Sequence, residues 1–297
     1  MLHVVGKLLY LFDLRRLFEI RQPFPQVDNT VLLPRYDHPP LAETVLGIFF
    51  QAPPNFSIAH RVLFWSQFRE SFPKVEERPT IDEVREGFGE GEFTEPQIRW
   101  QLFDSPPPAR LFARSLDGQH VLQIQQDALH TNWRRGGTAA DPYIRFEERL
   151  ADFQEKIGRL EQFFRENRIG DFRPTSCVLT YINHLDFIDG QQGKVVDDAF
   201  SIKVNETSDK WLPSVEQANI RLSYRFPDNS GRLHAWIAPT SRDDDKKPVF
   251  RLQLTARSAP ISEISVSSWF NLAHEWVVRG FTSLTTEKMH QQWKRTQ

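Results

Sequence analysis

A single cysteine, Cys177, stands among 297 residues, so no intramolecular disulfide can form. That excludes a disulfide-stapled secreted scaffold. With no Cys pair and nine scattered histidines, structural zinc has no ligand pattern, and neither a metal nor a cofactor is expected. Charge of neither sign prevails: 37 Lys and Arg face 39 Asp and Glu, a formal net of −2. Nucleic-acid binding usually draws on a basic excess that releases phosphate counterions, so it is not the favoured role. Long apolar runs are missing too, and a bilayer span needs about 20 such residues. The nearest stretch, 4–20, is interrupted by Lys7, Asp13, Arg15, Arg16 and Glu19, and no small-residue cleavage site follows it. Neither a membrane span nor a signal peptide is expected, and the chain reads as cytoplasmic.

What is present is aromatic. The chain holds 24 Phe and 8 Trp within an ordinary globular balance of 39% hydrophobic and 26% charged residues. Large rings each bury much apolar area, so the core is expected to be built on Phe contacts. Cys177 belongs to the apolar run Cys177-Val178-Leu179, which reads as a buried strand rather than a reactive thiol.

Two helices anchor the first half. Over 55–72, Ile58, Val62, Trp65, Phe68 and Phe72 recur at steps of three and four and share one face. Pro53 and Pro54 block an earlier start, Asn55 or Ser57 can cap it, and Pro73 stops it. Over 142–167, Phe146, Leu150, Phe153, Ile157, Leu160 and Phe164 repeat more regularly. Asp141 suits the N-cap, Pro142 the first helical position and Gly170 the exit. Strands are expected at 43–51, 98–103, 110–115 and 120–126, with Asp117-Gly118 turning the last hairpin.

The second half repeats the theme. Strands are expected at 175–187, 218–226, 232–238 and 249–256, with turns at 228–231 and 243–247. A helix over 266–279 and a short tail helix over 285–294 follow. The fold class is therefore α+β: two sheet-plus-helix halves, each an antiparallel meander closed by a long helix, consistent with an internal duplication. Residues 1–32 form an N-terminal extension and linker, 33–170 the first half, and 171–297 the second half with its C-terminal helices.

Sites of chemistry are scarce. His274-Glu275 has no second His four residues on, so the zinc-protease pattern fails. Gly87-Phe88-Gly89-Glu90-Gly91 sits among Asp82, Glu83, Glu86, Glu92 and Glu95, too many carboxylates for a phosphate cradle; it reads as a solvated acidic loop. His184 and Asp186 share a strand face and form a candidate polar pair, structural rather than catalytic on balance. Gln123, Gln125, Asn132, Trp133, Arg134 and Arg135 form the candidate interaction surface. Glutamines without partners are costly inside a fold, and Trp133 beside two arginines could stack on a base or on a partner's ring. At the tail, Met289 and Trp293 are expected to dock the last helix, with His290, Lys294 and Arg295 at its basic end.

Several segments together resemble a sporadically distributed, uncharacterised bacterial protein family. They are the run from Leu33 through Tyr36 and Leu41 to Ile48, Leu122-Gln123-Ile124-Gln125 through Asn132-Trp133, Tyr143-Ile144-Arg145-Phe146, Leu179-Thr180-Tyr181-Ile182-Asn183, and His274 with Phe281, Thr285 and Trp293. The resemblance spans about 33–293. It implies no catalytic residue or cofactor, and its patchy distribution associates it with defence or toxin–antitoxin modules. The leading expectation is a non-enzymatic interaction protein, a partner subunit in such a module that binds a protein or its own copy. The alternative is a small-molecule or nucleotide sensor using the cleft between the halves, with an enzyme of unknown reaction behind it.

Overall fold

The chain divides into two units, Met1–Leu32 and Leu33–Gln297. A computed structural model describes residues 32–88, 109–136, 143–186, 192–203, 211, 215, 217–242, 244–261 and 265–297, excepting the side chains of 192–195. The strand expected at 98–103, the cap at Asp141-Pro142, Gly89-Glu90-Gly91 and the 4–20 helix lie outside these residues. The elements run β1 (Leu41–Phe50), α1 (Ile58–Ser66), β2 (Lys74–Pro79), β3 (Ala109–Arg114), β4 (His120–Ile124), β5 (Ala128–Arg134) and α2 (Phe146–Glu166). Then come β6 (Pro174–Asp186), α3 (Gln192–Ala199), β7 (Ile220–Arg225), β8 (Gly231–Ser241), β9 (Pro248–Ser258), α4 (Val266–Leu284) and α5 (Glu287–Gln292).

The nine strands of the described residues join one antiparallel sheet in the order β2-β3-β4-β5-β1-β6-β9-β8-β7. The α+β class is thus shown, with the strands of both halves in a single continuous sheet. Its middle is the pair β1–β6, registered from Leu41 opposite Asn183 to Phe50 opposite Pro174. Strand alternation divides the side chains between two faces. Leu46, Ile48 and Phe50, Leu122 and Ile124, Leu179 and Leu185, and Leu252 and Leu254 point into one buried cluster with the helices. In α2, Phe146, Leu150, Phe153, Leu160 and Phe164 supply that cluster at helical spacing. Glu147 and Glu148 in its first turn and Arg165 in its last suit the helix dipole. No helix among the described residues is long and apolar enough to cross a membrane.

Helix α1 departs from its expected form. It ends at Ser66, and residues 67–71 continue as turns. Ile58 and Val62, read as core positions, are exposed, whereas Phe64 is fully buried with Phe68 and Phe72 behind it. The apolar repeat is that of Phe64, Phe68 and Phe72, a register the Ile58–Val62 pattern obscured. In α2 the first helical residue is Phe146, with Arg145 extended at the N-cap. Met289 and Trp293 are buried as expected, and Tyr36 packs edge-on against Phe281 and Trp293 at 5.5 and 6.2 Å.

The other sheet face meets no helix among the described residues. Residues 81–88 cross it instead, near one end of the strands. Ile81 exchanges hydrogen bonds with the Gln125 amide, donating its N–H to Oε1 and accepting from Nε2, both at 2.9 Å. Glu83 accepts from the hydroxyls of Thr175 and Ser176 at 2.7 Å each. Glu86 reaches Arg232 and His234 of β8. The acidic loop is therefore held down at this end: burial opposes ionisation of Glu86, but His234, Arg232 and Arg257 outweigh it and keep its pKa below the ordinary value.

Gly47 sits on this face where two strands crowd it. A Cβ there would lie 2.2 Å from Cδ2 of His130 and 2.7 Å from Cγ1 of Val178, its neighbours in register. Gly47→Ala is expected to cost about 1–3 kcal/mol by overpacking. Thermal denaturation checks this, and an unchanged midpoint would mean that the imidazole swings aside.

Candidate functional site

The residues expected to form an interaction surface are largely interior. β5 lies between β4 and β1, and its side chains from Ala128 to Trp133 are buried while Arg134 is exposed. Trp133 is fully buried on the helix face, edge-on to Tyr143 at 5.9 Å. Gln123 and Asn132 are buried opposite it and joined by a 2.6 Å hydrogen bond from Gln123 Nε2 to Asn132 Oδ1. Asn132 in turn donates to Glu43 at 2.5 Å, and Gln125 is buried against Ile81. Arg134 is exposed and pairs with Glu43 at 3.1 Å. Arg135 donates its backbone N–H to the carbonyl of Ala42 at 2.8 Å. What looked like a free polar strand end is a network that fastens β4, β5 and β1 together. In the other candidate pair, the Asp186 carboxylate binds Arg242, while the backbone N–H of His184 donates to the carbonyl of Pro40 at 2.9 Å.

A different set of residues meets at the centre. On the helix face, Trp133, Thr44 and Tyr181 stand in one cross-strand row over β5, β1 and β6. The N-terminal end of α2 brings Tyr143 and Phe146 over this row, and α4 brings His274. The His274 ring stacks on Phe146 with centroids 3.9 Å apart and planes within 8°. Its Nδ1 shares a 3.0 Å hydrogen bond with the Tyr181 hydroxyl, which is also hydrogen-bonded to Tyr143. A cavity of about 130 Å³ opens beside this chain, walled by Tyr36, Tyr143, Tyr181, Asn183, His274 and Phe281. Arg35, Arg145 and Glu147 contribute charge to its lining.

Burial fixes the protonation state of the cluster. It lowers the pKa of His274 to about 4, with Glu147 only partly opposing, so the imidazole is neutral near pH 7. Burial likewise raises Tyr181 well above its ordinary value, helped by Tyr143. The chain Tyr143–Tyr181–His274 is therefore an uncharged run of donors and acceptors. Behind it, the Trp133 indole N–H and the Thr44 hydroxyl are buried without a hydrogen-bond partner. Such groups each cost about 1–3 kcal/mol, and native folds keep them rare. Cys177 is buried, and burial raises its thiol pKa. Among the described residues, no three His, Cys, Asp or Glu side chains gather to hold a metal ion.

A larger groove of about 780 Å³ lies between residues 66–72 and α2. Four of its charged groups pair with one another, Lys156 with Asp152 and Arg159 with Glu155. The smaller cavity has the better mix for recognition, an apolar wall with a few converging polar groups.

Tyr181, His274 and Tyr143 did not stand out as chemistry in the sequence. A usable signal was present: the chain has five tyrosines, and Tyr36, Tyr143 and Tyr181 all line this one cavity. Tyr36, Tyr143, Tyr181 and His274 also fall in four of the segments that carry the family resemblance.

No family model matches the chain, and no curated protein does. Among solved structures, the chain is similar to the crystal structure of DynU16, a protein of the dynemicin biosynthetic locus, at 11% identity. That match covers 82% of this chain and 96% of the other, with a TM-score of 0.25.

Proposed function

We propose that the protein binds one small, ring-sized polar molecule in the central cavity, as a sensor or ligand-dependent partner subunit rather than an enzyme. The observation that carries this is the cavity's composition. Residues 33–41 and 143–147 of the first half and 181–183 and 274–281 of the second build one wall around the neutral Tyr143–Tyr181–His274 chain. A void of about 150 Å³ holds benzene, so about 130 Å³ suits a phenol, an indole fragment or a single nucleobase. A complete nucleotide would have to leave its sugar and phosphate outside, near Arg35 and Arg145. Neutral hydroxyl and imidazole groups favour an uncharged ligand with a donor and an acceptor.

A thermal-shift panel of phenols, indoles and nucleobases tests it. A binder at 100 times its Kd should stabilise the fold by about 2.7 kcal/mol. Tyr181→Phe is expected to remove that gain while leaving the unliganded protein folded. No stabilisation across the panel, or gains that Tyr181→Phe leaves intact, would sink the proposal.

The element order supports the duplication within the same reading. β1, α1, β3–β5 and α2 run parallel in sequence to β6, α3, β7–β9 and α4, with β1 and β6 adjacent at the middle of the sheet. Superposing the halves on this pairing is the check, and strands that coincide while α2 and α4 diverge would count against it. The interaction-protein reading draws on the helix-free face.

A further inference from the structure

By register, β7 places Arg221 and Arg225, β8 places Arg232, and β9 places Arg251 and Arg257 on the helix-free face. Five guanidiniums on one half-sheet are a strong local field in a chain of net −2. Residues 86–88 occupy part of it. Glu86 has its side chain completely covered and takes 2.5 Å from Arg232 Nη1 to Oε2. Its Oε1 lies 2.6 Å from His234 Nε2 and 3.7 Å from Arg257 Nη1. Arg232 Nη2 also donates to the Gly87 carbonyl at 3.1 Å. The Phe88 ring lies against the guanidiniums of Arg225 and Arg232, at 4.8 and 5.1 Å.

The segment belongs to no helix or strand. Its hold on the sheet comes largely through side chains of the sheet: charge-assisted bonds to a carboxylate, one to a backbone carbonyl, and stacking on a ring. That is a recognition pattern for a peptide. A nucleic acid would meet the charge with its phosphates and the stacking with its bases. But the fully covered subsite between Arg232, His234 and Arg257 holds a carboxylate, and the bond beside it is to a peptide carbonyl. Four residues further along β8, about 13 Å away, Trp236 stands between Arg251 and Arg221, at 4.0 and 5.5 Å. The Arg251 Nε there is buried without a partner.

We propose that this face docks an extended acidic and aromatic peptide segment of a partner protein, and that Glu86 to Phe88 fill its central subsite as an internal stand-in. The partner's carboxylate takes the place of Glu86 between Arg232, His234 and Arg257, and its aromatic side chain that of Phe88. A longer segment reaches the Trp236 subsite. This surface lies on the opposite side of the sheet from the central cavity and does not rest on the reading of that cavity.

The probe is a fluorescein-labelled peptide with the sequence of residues 81–88, titrated into the full chain by fluorescence anisotropy. Glu86→Ala with Phe88→Ala vacates the subsite, and this variant should bind the peptide at least tenfold tighter than the unaltered protein. Adding Arg232→Ala should reverse that gain, and raising the salt should weaken binding. A vacated variant that is folded by circular dichroism and binds no peptide overturns the proposal, as does binding indifferent to Arg232→Ala. Preference for a labelled oligothymidylate over the peptide overturns it in favour of nucleic acid. Self-association of the vacated variant by light scattering overturns it in favour of a second copy of this chain. Should the vacated variant not fold, hydrogen exchange on the unaltered protein decides. Excess peptide should speed exchange of the amides at 83–88, and unchanged exchange overturns the proposal.

Discussion

Replacing Phe164 by alanine is expected to remove about 3–5 kcal/mol of stability, the range for a fully buried phenylalanine. The ring is completely inaccessible near the C-terminal end of α2. It sits edge-on to Phe56 at 4.8 Å, Phe50 at 5.8 Å and Phe172 at 5.9 Å. Those neighbours come from the end of β1, the turn before α1 and the loop after α2, so truncation empties a junction of three segments. Flat-sided rings leave no chain that could swing in to fill the space, and the cavity term should persist. Urea denaturation reads the loss. A cost under 1 kcal/mol would mean that the aromatic cluster repacks, contrary to the geometry described. Because Phe164 lies at the far end of α2 from Tyr143, the central cavity should keep its ligand affinity in whatever fraction remains folded.

The second large effect is with acid. His130 and His274 are both buried, and burial brings each pKa from the ordinary 6.5 down to about 4, with the charge of Arg110 adding to the effect on His130. The folded pKa thus lies below the unfolded one. Between pH 6.5 and 4 the unfolded chain takes up protons that the folded chain refuses, so stability is full above about 6.5 and falls as the pH drops towards 4. Each histidine contributes up to about 3 kcal/mol to that fall. Glu83 and Glu86 act in a separate window: their pKa values are lowered, so their contribution is lost only below the ordinary carboxylate range near 4.3. Unfolding midpoints measured from pH 7 to 4.5 should decline, and His130→Gln and His274→Gln should each flatten the slope by about one proton. Slopes unchanged in both variants would contradict the neutral, buried state assigned to the rings.

Much of the fold was legible because its regular elements follow a single period. The α2 repeat and the alternation in β6, β8 and β9 each show in one stretch of chain. β2 did not show, because Lys-Val-Glu-Glu-Arg-Pro has no apolar face; as an edge strand exposed throughout, it has charge where others have core. β5 was misjudged for the opposite reason. Its Asn132 and Trp133 look like surface chemistry until Gln123 and Glu43 are known to meet the amide and Tyr143 the indole. The cavity depended on what no local window contains. Tyr36, Tyr143, Tyr181 and His274 come together only through the β1–β6 pairing and the placement of α2 and α4. The hold on Glu86 was hidden by composition, since a glycine-rich acidic stretch reads as solvated until Arg225, Arg232 and Arg257 are found opposite residues 86–88.

The central strand pair carries a consequence for how the molecule is made. β1 is finished by residue 50, yet its outer neighbour β6 begins only at residue 174. Until then β1 has β5 on one side and an open row of amides and carbonyls on the other. An exposed row of that kind invites pairing with another chain. Because loop closure over such a span must precede the contacts that reward it, the step is a slow one. A nascent chain therefore passes through a stage in which a strand that ends at the centre of the sheet is still adhesive, and pairing with β6 quenches it.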